Sequence, residues 1–183
     1  MENHVSKNTG EDYLDKFYIP SSDLFKKKFD GMIITGAPVE RMDFDKVDYW
    51  DELCAIMDYA RKNVFSTLYI CWGAFAGLNH HYNIPKYPLE KKLSGIFMNE
   101  QLTENDPLLR GFDDTFPIPQ SRHSTIKKED ILANDDLIIL ANSPEAGVTI
   151  VKSKSNREIF MTGHLEYDTS TLSEEYWRDT NKG

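Results

Sequence analysis

Apolar and polar positions change period several times along the chain, and each change predicts an element. "FDGMIITGAP" holds a short apolar run, Met32 to Thr35, closed by Gly36 and Pro38, the pattern of a buried strand ending in a turn. In "DKVDYWDELCAIMDYARKN", Val47, Trp50, Leu53, Cys54, Met57 and Ala60 recur at spacings of three and four, which makes one face of a helix apolar. "STLYIC" is an apolar, β-prone run, and the small residues of "WGAFAGL" predict a helix beginning near Gly73. The first half thus reads strand, helix, strand, helix. That alternation predicts an α/β fold: a mostly parallel sheet with helices on both faces.

The second half is less regular. "NIPKYPLEKKL" reads as a loop because of its prolines, "SGIFMN" as a strand, and "FDDTFPIPQSRH" as proline-broken. "DLIILANS", "GVTIVKSK" and "REIFMTGH" read as strands, the last ending at His164. "TSTLSEEYWRDT" predicts a closing helix capped by Thr169 or Ser170, with Glu174 and Glu175 in its first turns. Met1 to Lys28 is polar, with "PSSD" as a turn and helix start. No repeat, low-complexity tract or linker divides the chain, so residues 1–183 are expected to form one α/β domain.

Composition narrows the function. A formal net charge of -9 argues against a nucleic-acid partner, whose basic footprint would dominate. Two cysteines, Cys54 and Cys71, make no disulfide framework and suggest a reducing compartment. No apolar run is long enough to span a bilayer and no signal-like start is present, so a cytoplasmic protein without a membrane partner is expected.

The candidate chemistry centres on Cys71, where strand gives way to helix. Ligands of open parallel sheets bind beyond the carboxyl ends of the strands. A nucleophile on such a sharp turn is exposed, and the helix amides beside it favour a thiolate and stabilise an oxyanion. The turn needs small neighbours, and Gly73 is two residues on. The alternative is a buried structural cysteine, which is the expectation for Cys54 on its apolar helix face. Of the five histidines, His4 lies in the polar start and His123 in "QSRH". His80 and His81 suggest a metal as a pair, but no third ligand has suitable spacing, so no metal is expected and a surface position is. His164 closes a strand, on the same sheet edge as Cys71. Glu166, two residues on, points the same way in extended chain. Cys71, His164 and Glu166 therefore form a nucleophile, a base and an orienting carboxylate.

Taken together, "DGMIITGAPVE", "VDYWDEL", "STLYICWGAFAGL", "YPLEKKLSGIF", "LLRGFDD", "SRH", "EAGV" and "FMTGHLEYDTSTLSEEYWRD" resemble the homoserine O-acyltransferases of the homoserine trans-succinylase type. The resemblance runs in order from about His4 to the last residue. It implies the α/β sandwich of the class I glutamine amidotransferases and acylation of the homoserine side-chain hydroxyl, a step of methionine biosynthesis. It implies the same triad of Cys71, His164 and Glu166, working by a ping-pong route. Amides near Ala37 and Trp72 hold the oxyanion, and no metal or redox cofactor is needed. For the zwitterionic acceptor it implies Lys92, Ser121 and Arg178. It also implies the donor: a glutamate at the position of Glu40 accompanies acetyl-CoA, and a glycine there accompanies succinyl-CoA. Apart from the resemblance, Glu40 is an ordinary turn carboxylate and Lys92 and Arg178 are surface charges.

The family's usual pattern differs at Phe75, where it has Gln, and at Gln120, where it has His; both positions are expected close to the site. Its chains usually carry a segment before the equivalent of His4 and an extension beyond Gly183, so this chain is expected to lack a strand and a terminal cover, or to be completed by a partner. The expected partners are acetyl-CoA and L-homoserine, with L-serine as the rival acceptor and a homodimer as the assembly. A glutamine-amidotransferase-like hydrolase and a non-catalytic paralogue are the competing classes.

Overall fold

The computed structural model describes residues 10–181; His4 lies outside the described residues. Helices α1 (Glu11–Phe17) and α2 (Ser21–Leu24) lead into strand β1 (Phe29–Ile34). A 3-10 turn at Phe44–Lys46 precedes helix α3 (Trp50–Asn63), strand β2 (Val64–Ile70) and helix α4 (Trp72–Tyr82). Two long strands follow, β3 (Tyr87–Gln101) and β4 (Thr115–Thr125), then helix α5 (Lys128–Leu132). Strands β5 (Leu137–Ser143), β6 (Gly147–Ser153) and β7 (Glu158–Met161) and helix α6 (Thr171–Thr180) complete the chain. Among the described residues no helix is long and apolar enough to cross a membrane.

The strands form one seven-stranded sheet in the order β1-β2-β7-β6-β5-β3-β4. The α/β class holds, but the sheet is mixed rather than mostly parallel. Only β1–β2 and β2–β7 run parallel; the other four ladders are antiparallel. Connection length explains this. Helices α3 and α4 return the chain after β1 and β2, whereas short turns join β5, β6 and β7, and short turns allow only antiparallel neighbours. The β5–β6 turn has Gly147 at φ 73°, and Ser143 Oγ accepts from the Glu145 and Ala146 amides.

Among the described residues, helices α3, α4 and α5 pack on one face of the sheet. Leu53 and Met57 of α3, Phe75 and Leu78 of α4 and Ile131 of α5 share one core with Tyr69, Phe160, Val151 and Ile139, which register side by side across four strands. The parallel part of the sheet grows in one direction, β1 to β2 to β7, and crossovers of a single hand then place both connecting helices on the same face. On the opposite face Ile33, Leu68 and Ile159 form a registered apolar row, and Ile33 is 62% exposed. A second core on that side gathers Leu109, Phe116, Ile118, Leu140, Ile150 and Met161.

Two expected loops are strand. "YPLEKKL" begins β3, with a register shift between Pro88 and Leu93, and "TFPIPQSRH" lies in β4. β4 is the sheet edge, where Pro117 and Pro119 pair opposite Met98 and Ile96 without breaking an inner ladder. Strand β7 stops at Met161, so His164 lies beyond the strand, just before a turn at 165–166. Ser170 occupies the N-cap of α6 but makes no side-chain cap bond; the Asp168 carboxylate accepts from the Ser170 and Thr171 amides instead.

Candidate active site

The transition from β2 to α4 turns on a single residue. Cys71 has φ 51° and ψ -119°, a conformation that L-residues rarely adopt. The turn is held by close backbone approach. A Cβ on Gly73 would lie 2.5 Å from the Ile34 carbonyl oxygen and 2.8 Å from that of Thr35, so only glycine lets α4 begin against the end of β1. A Cβ on Gly36 would meet the Cys71 Cβ at 3.2 Å. The end of β1 thus lies directly against the elbow that carries the thiol.

The electrostatics at Cys71 run against the sequence expectation of a thiolate favoured by helix amides. Burial first, then the Glu40 carboxylate, push the Cys71 thiol up to about 12. The Trp72 amide does bond to the sulfur and opposes the rise, but it is outweighed. Glu40 Oε1 lies 3.6 Å from Cys71 Sγ and accepts from the thiol. Glu40 is itself tied down: its Oε2 accepts from the His123 amide at 2.5 Å, and Lys86 Nζ donates to its backbone carbonyl at 2.7 Å. It is therefore a fixed carboxylate at the Cys71 thiol, not a solvated turn residue.

His164 Nδ1 faces Glu166 Oε1 at 2.6 Å. Its Nε2 is buried with no hydrogen-bond partner among the described residues. The ring stacks on Tyr167 at 4.2 Å between centroids, and the His164 amide donates to the Pro119 carbonyl. The pairing with Glu166 is as expected, although a turn makes it rather than an extended strand. The result is an imidazole oriented by a carboxylate, with its other nitrogen free to take a proton.

Lys92 on β3, Ser121 on β4 and Arg178 on α6 reach the same cavity, about 840 Å³ in volume, which Cys71, His164, Glu166, Glu40 and Ala37 also line. Trp72 contributes its amide at the sulfur, while its side chain is buried. The cations here are already matched. Lys92 Nζ lies 2.5 Å from Asp179 Oδ2. Arg178 lies 3.2 Å from Asp179 and 3.7 Å from Glu175. Ser121 Oγ donates to Glu175. The arrangement offers paired positive and negative groups to a zwitterion.

Several residues of the site escaped sequence reasoning. Arg122 is fully buried, donates to Gln120, to the Ser124 carbonyl and to the Ala146 carbonyl, and places a cation behind Cys71 and Glu40. Burial pushes its pKa down to about 10. Arg41, His123, Tyr167, Glu175 and Asp179 also line the cavity; only the proximity of Glu175 and Asp179 to Arg178 along α6 could have signalled any of them. Phe75 is a core residue packed under the sheet and does not line the cavity. Gln120 does not line it either, and acts through Arg122. Cys54 is partly buried against the helix-side core, as expected. His80 and His81 stand at the far end of α4, and the His81 side chain, expected at the surface, is only 2% exposed.

The model of a family described as Homoserine O-succinyltransferase matches residues 1–183. A "Homoserine O-acetyltransferase" of Methanomethylophilus alvi is 60% identical over all of this chain, which spans 59% of that protein. Proteins of the same name from Petrotoga mobilis and from a Clostridium botulinum strain are each 54% identical over the full chain, which spans 59% and 60% of them. The chain thus covers about three-fifths of these relatives' length. Among solved structures, a glutamine amidotransferase from Thermotoga maritima aligns with TM-score 0.66 at 14% identity, over 82% of this chain and 64% of that one. A glutamine amido transferase from Methylobacillus flagellatus aligns with TM-score 0.60 at 11% identity, over 85% of this chain and 77% of that one. These two show a shared fold, that of the glutamine amidotransferases.

Proposed function

The chain belongs to the homoserine O-succinyltransferase family, and from that premise we propose that it moves an acetyl group from acetyl-CoA, through Cys71, to the side-chain hydroxyl of L-homoserine. One observation supports this above the others: one cavity is lined both by Cys71, His164 and Glu166 and by the charge pairs of Lys92, Arg178, Glu175 and Asp179. Thiol chemistry and amino-acid recognition meet in one space.

In the first half-reaction Cys71 Sγ attacks the thioester carbonyl, the carbon–sulfur bond to CoA breaks, and CoA leaves as the thiol. A free thiol with a pKa near 12 is almost wholly protonated at neutral pH, so its proton leaves as the attack occurs. His164 Nε2, which has no hydrogen-bond partner among the described residues, takes it and passes it to the departing sulfur. In the second half-reaction the same nitrogen takes the homoserine hydroxyl proton as that oxygen attacks the acyl-cysteine carbonyl; the carbon–sulfur bond breaks, the proton passes to Cys71 Sγ, and the ester leaves. The Trp72 amide, already at the sulfur, and that of Ala37 stabilise the oxyanion in both steps. Thioester gives thioester and then ester, so the steps balance without an oxidant or reductant.

Glu40 selects the donor. A succinyl group ends in a carboxylate, and next to the Glu40 carboxylate it meets like-charge repulsion. An acetyl group does not. The family's name and its relatives' names differ on this point, and Glu40 favours acetyl. The test supplies acetyl-CoA or succinyl-CoA with homoserine or serine, follows free CoA thiol, and examines intact Cys71 by mass spectrometry. An acetyl adduct on Cys71 that homoserine discharges is expected. Absence of any adduct removes the covalent route. Faster succinyl transfer, or a donor ratio that Glu40→Gly shifts less than about tenfold (about 1.4 kcal/mol), removes the role of Glu40.

A further inference from the structure

A second cluster of chemically active side chains lies about 13 Å away, at the other end of the helix that begins beside Cys71. His80 and His81 occupy the last turn of α4. Asp58 comes from α3, and His80 Nε2 lies 2.8 Å from its Oδ1. Ligating atoms of Asp58, His80 and His81 all fall within 4.8 Å of one another. A tetrahedral ion with bonds of about 2.0–2.2 Å needs ligand atoms about 3.3 Å apart, inside that spread.

What surrounds His81 is not the setting of a surface histidine. Its side chain is 2% exposed. His81 Nε2 lies 3.4 Å from Glu158 Oε1 and 3.2 Å from the Tyr69 hydroxyl. The Glu158 side chain is 4% exposed, and its Oε1 has no hydrogen-bond partner among the described residues. Its Oε2 accepts from Tyr82 at 2.5 Å, and Arg61 Nε stands 3.5 Å from it. A carboxylate placed behind an imidazole in this way is how proteins orient a metal-ligating histidine. Asp58 and Glu158 outnumber Arg61 by one negative charge, and the C-terminus of α4 adds partial negative charge. A divalent cation suits both.

We infer that Asp58, His80 and His81 form a binding site for a divalent transition metal of the zinc type, with Glu158 holding His81 in place. Two imidazoles and a carboxylate are the donor set such ions prefer, and hard cations such as Mg²⁺ prefer oxygen. The site would tie α3 to α4 and so brace the helix that carries the nucleophile at its opposite end. It takes no part in acyl transfer.

The test uses the whole chain and Zn²⁺ alone. Isothermal titration is run on the wild type, on Asp58→Asn and on His80→Gln, both at positions with solvent access, and on Cys71→Ala, which removes the thiol at the other end of α4. Thermal melting with and without Zn²⁺ and the ligand-field absorption of added Co²⁺ give independent readouts. One ion per chain is expected, weakened at least tenfold in Asp58→Asn and in His80→Gln and unchanged in Cys71→Ala. Zn²⁺ should raise the melting temperature of the wild type but not of the two ligand variants. No binding by the wild type, binding that survives both ligand substitutions, or binding lost with Cys71 overturns the inference.

Discussion

Replacing Glu40 by glutamine keeps the shape of the side chain and removes its charge, and the Cys71 thiol should respond. Glu40 Oε1 is 3.6 Å from Sγ. At an effective dielectric constant of about 20, unit charges about 4 Å apart repel by about 4 kcal/mol, equivalent to about three pK units. Glu40 is half-buried, and solvent screening reduces this to an expected fall of about one to two units. The direction follows from the sign of the charge: the thiolate loses a like-charged neighbour, so the proton leaves at lower pH. Burial, the larger cause, stays in place, so the pKa falls from about 12 but stays above the ordinary thiol value of about 8.5. The assay is the pH dependence of alkylation of Cys71 by iodoacetamide. It is run in a Cys54→Ala background, which leaves one thiol. A midpoint that does not move, or that rises, would show that the Glu40 charge is not felt at the sulfur, and the electrostatic basis for donor selection would go with it.

Three further outcomes are expected. Cys71→Ala should form no acyl adduct and transfer nothing while keeping its melting temperature; measurable turnover would exclude the covalent mechanism. His164→Ala should lower kcat by roughly ten-thousandfold and Glu166→Ala by clearly less, since an orienting carboxylate costs less to lose than the base; equal losses would make Glu166 more than an orienting group. Gly73→Ala should destabilise the fold by about 3 kcal/mol in urea unfolding, because the new Cβ meets the Ile34 and Thr35 backbone carbonyls at 2.5 and 2.8 Å and backbone cannot step aside. A change under about 0.5 kcal/mol would mean that α4 does not rest on β1.

How far the sequence was legible depended on the range of the interactions. The apolar face of α3 and the β2–α4 elbow follow from local periodicity and from Gly73, and both are found. The direction of the sheet does not, because it depends on how strands far apart in sequence are joined. "TFPIPQSRH" reads as broken only if an inner strand is assumed; at an edge its prolines are harmless. His164 and Glu166 were legible because they sit two apart. Arg122 was not, because its role comes from three partners that the fold brings to it. The electrostatics of Cys71 were half legible for a similar reason: the helix amides are local and visible, while its burial and the approach of Glu40 are products of tertiary structure. Asp58 and the pair His80 and His81 are more than 20 positions apart and on different helices, beyond any spacing rule.

The backbone angle at Cys71 has a consequence for the history of the protein. A residue held at φ 51° carries a standing penalty of about 1–3 kcal/mol, which glycine would largely relieve. Selection on stability alone therefore favours losing the side chain on which the proposed chemistry depends. The cysteine persists only while the chemistry is under selection. In a lineage that no longer needs the reaction, position 71 should be among the first to drift, and its drift to glycine would leave a sturdier fold. The identity of this one residue is thus a gauge of whether a descendant chain still works for its living.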